Sequence, residues 1–557
     1  MSGTPERQST DIDRIADRWV DTLVELSPEQ GIWLGRPGNE GGYTDYSPAG
    51  AERVLEATRR TRQELTQARA ADPVDAVTKA DLGRELDLAG EKHEALFHLR
   101  DLNVIASPAQ DIREIFDLMP TATEGGWAHV AERLGNVGAA LGGYIETLRS
   151  GIDSGTVPAV RQVREVAKQA RGHAAADGFF FTLTGGAQVG GVPVSDALRR
   201  DLEVGATSAA AAYGDFADFL ERELAPHARD EDGVGREIYS LASRGFLGAA
   251  IDLDETYEWG LEELRRMVEE QEAIAREIVP GATVAEAIAH LEQDPSRKLS
   301  GTDALQRWMQ DLSDRAIENL GRTSFDIPAE VRALECRIAP TRTGGVYYTG
   351  PSDDFSRPGR MWWSVPEGVT EFDTWHETTT VYHEGVPGHH LQIGIATYNK
   401  AQLNSWRRIA GTSGHAEGWA LYAERLMDDL GYLDDPADRF GMLDAQRLRA
   451  ARVVVDLGVH LGKPHPDGGT WQGDQVFPFM RANSSWDEAS LRFESNRYLG
   501  WPGQAPAYKV GQRIWEQLRD ETQRREGTEF SIRRFHRRAL DIGGVGLDTL
   551  RFALLGR

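Results

Sequence analysis

Apolar residues recur at three- and four-residue steps along most of the chain from residue 11 to about residue 321. The run Tyr257, Leu261, Leu264, Val268, Ala275 and Ile278 shows the spacing clearly. That period lines one face of an α-helix, so these segments read as amphipathic helices whose apolar faces form a core. The pattern breaks at 35–50, 151–158, 184–194 and 230–235, where Gly, Pro and polar residues cluster, and these stretches read as loops within a bundle. No fixed-period repeat and no low-complexity tract occurs, which excludes a solenoid. Between Val331 and Pro366 the texture changes. Arg337-Ile338-Ala339-Pro340, Gly345-Val346-Tyr347-Tyr348 and Arg360-Met361-Trp362-Trp363-Ser364-Val365 set aromatic and β-branched residues between turns, and predict short strands. An exposed edge here, just upstream of a histidine cluster, is either a place where an extended peptide can add as a strand or part of a β-hairpin that only braces the helices. Helical periodicity returns from Thr374, through 416–430, 443–461, 510–524 and 532–540. The expectation is a mainly α fold with a small β-sheet, in two parts: a helical region at 1–330, and a β-hairpin with helices at 331–557. The two lobes share one cleft.

Length and charge narrow the function classes. The chain of 557 residues is long enough for a deep core. Its 62 Lys+Arg against 88 Asp+Glu give a net charge of -26, with no basic run dense enough to follow a phosphate backbone. Nucleic acid and anionic membrane are therefore excluded as partners, and a peptide or small molecule is expected. The opening Met-Ser-Gly-Thr-Pro-Glu-Arg lacks a basic stretch leading into an apolar core, and nothing downstream approaches the ~20 apolar residues of a membrane span. A cytoplasmic location is expected. The single cysteine, Cys336, has no disulfide partner within the chain and reads as a packing residue.

The chemistry concentrates at Tyr382 to His390, Tyr-His-Glu-Gly-Val-Pro-Gly-His-His. A hydrolytic zinc site needs about three protein ligands and one open position for water, together with a separate carboxylate to take the water's proton. His383-Glu384 supplies a ligand and a base side by side, as in the His-Glu-x-x-His helix of many metalloproteases. The position four after His383 is Pro387, however. His389 and His390 fall at roughly 240° and 340° round an ideal helix, where neither shares a face with His383. Pro387 donates no amide hydrogen and crowds the carbonyl of His383, so the helix is expected to break between Gly385 and His389 and return either His389 or His390 to the metal. A third ligand is expected from a second helix, His415 to Glu424. There Glu417 can ligate, and Glu424, seven residues on and on the same face, can support. Arg452, Asp456 and His460 recur at four-residue spacing. They read either as an ion-pair row or as groups, Arg452 and His460 above all, that meet a substrate carboxylate or oxyanion.

His383-Glu384-Gly385-Val386-Pro387-Gly388-His389-His390-Leu391-Gln392, then Glu417-Gly418-Trp419-Ala420-Leu421-Tyr422-Ala423-Glu424, then Pro502-Gly503-Gln504-Ala505 together resemble bacterial domain-of-unknown-function family 885. Arg357-Pro358-Gly359 and Arg452-Val453-Val454-Val455-Asp456 also match its pattern. The motifs span about residues 340 to 550, and Lys463 to Gly468 departs from the family's helical continuation. Members resemble helical zinc carboxypeptidases of the Taq type, which implies a helical metallopeptidase-like body with a small sheet over a long groove. Tyr508, in Pro506-Ala507-Tyr508-Lys509-Val510-Gly511, resembles a Pro-x-Tyr-x-x-Gly stretch of those enzymes, which implies a phenol on the oxyanion.

These readings converge on one zinc ion per chain held by His383, His389 or His390, and Glu417. Glu384 acts as base, with Tyr508, His460 and Arg452 about the substrate, and the reaction expected is carboxypeptidase-like amide hydrolysis. The alternatives are a metal-dependent reaction on a non-peptide small molecule and a non-catalytic binding protein of the same fold.

Overall fold

The structure, a computed structural model, describes residues 7–36, 38–341 and 345–556. The chain is 68% helical with only small sheets, a mainly α fold. Three hydrophobic cores organise it. One gathers Ile12, Trp19, Leu65 and Leu82 from the first helices, closed by Trp406 from far along the chain. A second lies within Leu102 to Leu224, around Tyr144, Phe180 and Phe216. The largest joins residues on both sides of position 330, from Leu264, Met309 and Leu320 to Val381, Trp419 and Trp515. Among the described residues no helix is long and apolar enough to cross a membrane.

The strands fall where the aromatic and β-branched residues predict them. Gly359–Trp363 is central, parallel to Leu334–Ile338 and antiparallel to Val346–Thr349. Val346–Thr349 is an outer strand of this sheet. Its Tyr348 phenol reaches His390 Nδ1 at 2.9 Å, which ties the strand to the histidine segment. Cys336 is buried in the first strand with its thiol pushed up to about 11 by burial, consistent with a packing role. Two small ladders escape the sequence pattern because their strands are too short to show alternation. One pairs Lys298–Ser300 with Glu371–Asp373, and the other pairs Gln188–Val189 with Val192–Pro193 inside an expected loop. The loop expected from residue 151 begins later, since the helix Glu124–Ser154 continues to the left-handed Gly155, at φ 70°.

Four helices carry the candidate chemistry. The histidine helix, Thr374–Glu384, starts directly from the strand Glu371–Asp373. The glutamate helix, Ser413–Asp429, is capped by Thr412, whose side chain accepts from His415 N. The long helix, Pro436–Leu461, starts at the Asp435 cap with Pro436 in its first turn and stops at the left-handed Gly462. The helix Ala507–Glu526 lies against the glutamate helix at backbone contact. A Cβ on Gly418 would stand 2.5 Å from the Gly511 carbonyl carbon, and one on Gly511 would stand 2.3 Å from Gly414 O. Glycine therefore sets the distance at which Glu417 is presented.

Gly511→Ala is expected to push these two helices apart and destabilise the fold by about 1–3 kcal/mol, the usual cost of overpacking. Thermal denaturation checks this, and an unchanged midpoint would show that the crossing relaxes freely.

Candidate functional site

The histidine helix ends at Glu384, and the next helix, His389–Tyr398, begins at His389. Pro387 supplies no amide hydrogen for a continued helix, and the chain doubles back over the helix end, with Gly388 N on Tyr382 O at 3.1 Å. A Cβ at Gly388 would lie 1.8 Å from His383 O, so only glycine closes this loop. Trp419 on the glutamate helix holds it from outside, its indole N–H donating to Pro387 O at 2.9 Å and Gly388 O at 3.2 Å.

This break brings His389, and not His390, to His383. The two rings stand 4.9 Å apart at 88°. His390 faces the sheet. Burial lowers it to about 4, so it is neutral, accepts from the Tyr348 phenol at Nδ1 and donates from Nε2 to Val331 O at 2.7 Å.

Glu417 completes the group. Its Oε2 lies 3.3 Å from His383 Nε2 and 3.7 Å from His389 Nε2, yet it is buried with a hydrogen bond to neither. One donor atom from each of the three residues falls within 4.8 Å of the others. A tetrahedral ion with bonds of ~2.1 Å has ligand-to-ligand edges of about 3.4 Å, close to both measured gaps. Two imidazoles and a carboxylate, with no thiolate, form the donor set of a catalytic zinc site, so the residues present fit zinc. Burial favours a neutral Glu417 carboxyl, but the two imidazoles outweigh it and hold the group well below the usual carboxylate range.

Behind His383 runs a buried polar chain. His383 Nδ1 pairs with Glu424 Oε1 at 2.7 Å, and Glu424 Oε2 accepts from Gln446 Nε2 at 3.1 Å. Gln446 Oε1 accepts from Lys509 Nζ at 2.6 Å, and Lys509 pairs with Glu263 at 3.0 Å. A carboxylate on the far nitrogen of a metal-binding histidine sets the ring's orientation and tautomer. His389 Nδ1, in contrast, is buried without a partner among the described residues.

Glu384 sits beside this group, nine-tenths buried. Among the described residues its carboxylate takes part in no hydrogen bond or ion pair. Burial raises its pKa, opposed by His389 and His383. The Tyr508 phenol is raised by burial and then by the charge of Glu417, which places it within electrostatic reach of the cluster.

The structure gives Arg452 and His460 other work. Arg452 is buried, with Nη2 on Glu494 at 2.9 Å and Nε on the Tyr498 phenol at 2.7 Å. Asp456 accepts from Tyr239 and from Gly503 N, and His460 Nε2 meets Tyr498 O at 2.9 Å. The four-residue stripe is thus a seam that docks the segment 494–503 onto the long helix, although Asp456 Oδ2 and His460 Nδ1 have no hydrogen-bond partner among the described residues. Arg452 lies 5.2 Å over the Tyr508 ring, and a further cation, Arg449, stands one turn earlier on the long helix. Its Nη2 stands 4.0 Å from Glu424, its Nε is buried without a hydrogen bond, and its charge acts on Glu384, Glu424 and Tyr508. No sequence motif points to Arg449, Gln446 or Lys509. Helix phase alone could have found the first two, since Gln446, Arg449 and Val453 share one face of the long helix.

Removing the partner of a metal-binding histidine weakens metal affinity about 10- to 100-fold. Glu424→Gln is expected to weaken zinc binding by that factor while His383→Ala abolishes it, measured by chelator competition on the purified chain. Full zinc content in His383→Ala would overturn the assignment.

A protein of Colwellia psychrerythraea described as a "putative lipoprotein" has the same fold, with TM-score 0.85 and 22% identity over 98% of this chain and 99% of that one. A "putative lipoprotein of unknown function" from Shewanella oneidensis aligns with TM-score 0.76 and 17% identity over 98% and 100% of the two chains. No functionally curated protein matches the sequence. The sequence profile of DUF885, described as a bacterial protein of unknown function, matches residues 28–554, and the chain therefore belongs to that family.

Proposed function

We propose that this chain is a zinc-dependent hydrolase of the metallopeptidase kind, acting on peptides with a free C-terminal carboxylate. The observation that carries this reading is the buried Glu417 oxygen, set between two imidazole nitrogens and bonded to neither, beside the unpartnered carboxylate of Glu384. His383, His389 and Glu417 would hold one zinc ion. When bound, it lowers the pKa of water and polarises a carbonyl.

The chain's own groups supply the rest. Glu384 is free to accept the proton of the attacking water and pass it to the leaving amine, and its burial raises its basicity toward neutral pH. Glu424 holds His383 in one tautomer, with Nδ1 protonated and Nε2 directed at Glu417. Tyr508 keeps its phenolic proton and can donate it to a developing oxyanion. Arg449 takes the role first read into Arg452, because Arg452 is held by hydrogen bonds to Glu494 and Tyr498 while the Arg449 Nε has no hydrogen-bond partner among the described residues. The outer strand Val346–Thr349, linked to the histidine segment through Tyr348, supports an extended peptide as substrate by strand addition.

Glu384→Gln is expected to retain zinc and lose about 10²- to 10⁴-fold in kcat, the usual worth of a general base. A hydrogen bond to a charged group contributes about 1.5–3 kcal/mol. A short peptide should therefore be cleaved ~10- to 100-fold faster than its C-terminally amidated twin, with the difference lost in Arg449→Leu. Equal rates on both peptides in the wild type would sink the carboxypeptidase assignment and leave the hydrolase reading to stand on Glu384→Gln alone.

A further inference from the structure

A cavity of about 580 Å³ lies where elements of the three cores converge, lined from Thr44 through Tyr144 and Arg229 to Pro502. None of the metal-cluster residues lines it. Its volume is that of a small-molecule site, and such sites pair apolar walls with a few placed polar groups. Here the walls include Tyr46, Leu55, Phe97 and an edge-to-face pair, Phe246 and Trp501, at 5.3 Å.

The polar groups are charged and unmatched. Arg100 makes no hydrogen bond or ion pair among the described residues, and its Nε is buried. Arg229 is close enough for the two charges to repel, and it donates only to the carbonyls of Val157 and Gly233, at 3.2 and 2.8 Å. Two guanidiniums thus share one cavity with no carboxylate in ion-pair contact. The same cavity holds Asp101 and Asp111, whose carboxylates accept no hydrogen bond among the described residues. Both aspartates are open to solvent at the cavity, and the Lys92 ammonium lines it within electrostatic reach of Asp101. Guanidiniums and carboxylates that line a cavity without ion pairs of their own are free to form charge-assisted hydrogen bonds with a ligand.

We propose that this cavity binds an organic zwitterion with an apolar body, the chemistry of a free amino acid or short peptide with both ends ionised, its carboxylate on Arg100 and Arg229 and its ammonium on Asp101 and Asp111. An anion alone would leave the two acids unmatched, and a cation alone would leave the guanidiniums so. The aromatic pair and Phe97 supply apolar wall for the ligand's side chain.

The test is titration calorimetry of the full chain carrying Glu384→Gln, so that the probe is not consumed, with phenylalanyl-leucine. The dipeptide is expected to bind, and Arg100→Gln and Asp101→Asn are each expected to weaken it at least tenfold. With the cavity unsubstituted, the C-terminally amidated and the N-acetylated dipeptides should each bind at least tenfold more weakly, which keeps the test sound if either variant fails to fold. No binding, or affinities within twofold across these comparisons, overturns the proposal. The binding should also persist in His383→Ala. Its loss there would put the dipeptide at the histidine cluster and overturn the cavity site, whereas its persistence without hydrolysis in the wild type would leave the cavity standing and remove the peptidase reading.

Discussion

Everything about the candidate metal centre depends on one interruption, the helix break between Glu384 and His389. An unbroken helix would put His389 roughly 240° away from His383, on a different face. The break resets the phase. Pro387 withholds the amide hydrogen that would continue the helix, Gly388 lets the chain pass against His383 O, and the Trp419 indole holds two carbonyls of the loop. These carbonyls are buried, and an unsatisfied buried acceptor costs about 1–3 kcal/mol, so the tryptophan stabilises the loop as well as positioning it. Because Trp419 lies two residues after Glu417, the same contact sets the third donor relative to the first two.

Around that clasp the molecule is arranged in shells of decreasing polarity. Innermost are His383, His389, Glu417 and Glu384. Next comes the line Glu424, Gln446, Lys509 and Glu263, in which each buried polar group finds a partner on another helix. Burying these charges singly would cost several kcal/mol apiece, and their pairing is what makes the arrangement tolerable. Outermost is an aromatic layer of Trp419, Tyr422, Trp515, His536 and Phe325, with Tyr422 and His536 joined at 2.9 Å. Such a layer resists deformation, because close-packed interiors transmit strain instead of absorbing it. The glycine crossing of Gly418 on Gly511 then fixes how far the glutamate helix stands from the rest.

Charge is treated differently at the histidine cluster and in the cavity between the cores. At the histidine cluster, the network behind His383 holds that ring and Glu424, while His389 Nδ1, Glu417 Oε2 and the Arg449 Nε have no hydrogen-bond partner among the described residues. In the cavity between the cores, Arg100, Arg229, Asp101 and Asp111 share apolar walls without ion pairs among the described residues. The contrast separates a site where charge is held for orientation from one where charge is left for a ligand to complete.

Much of this was legible in the sequence because it rests on local rules. Helical periodicity, the strand texture before residue 366 and the helix-breaking chemistry of Pro387 are properties of neighbouring residues, and each appears where the pattern puts it. Glu417 and Glu424 were readable as one helix face for the same reason. Other features depend on what arrives from a distance. Nothing near His389 or His390 says which ring turns inward. That was decided by Tyr348 and Val331, whose oxygens take both nitrogens of His390. The stripe Arg452, Asp456 and His460 is the reverse case, since correct helix spacing suggested a substrate surface while Glu494, Tyr498, Tyr239 and Gly503 made it a packing seam. Sequence by itself determined which residues share a helix face, because that follows from backbone geometry. Only the tertiary structure decided what each face meets, because the partner of a buried polar group is set by long-range packing.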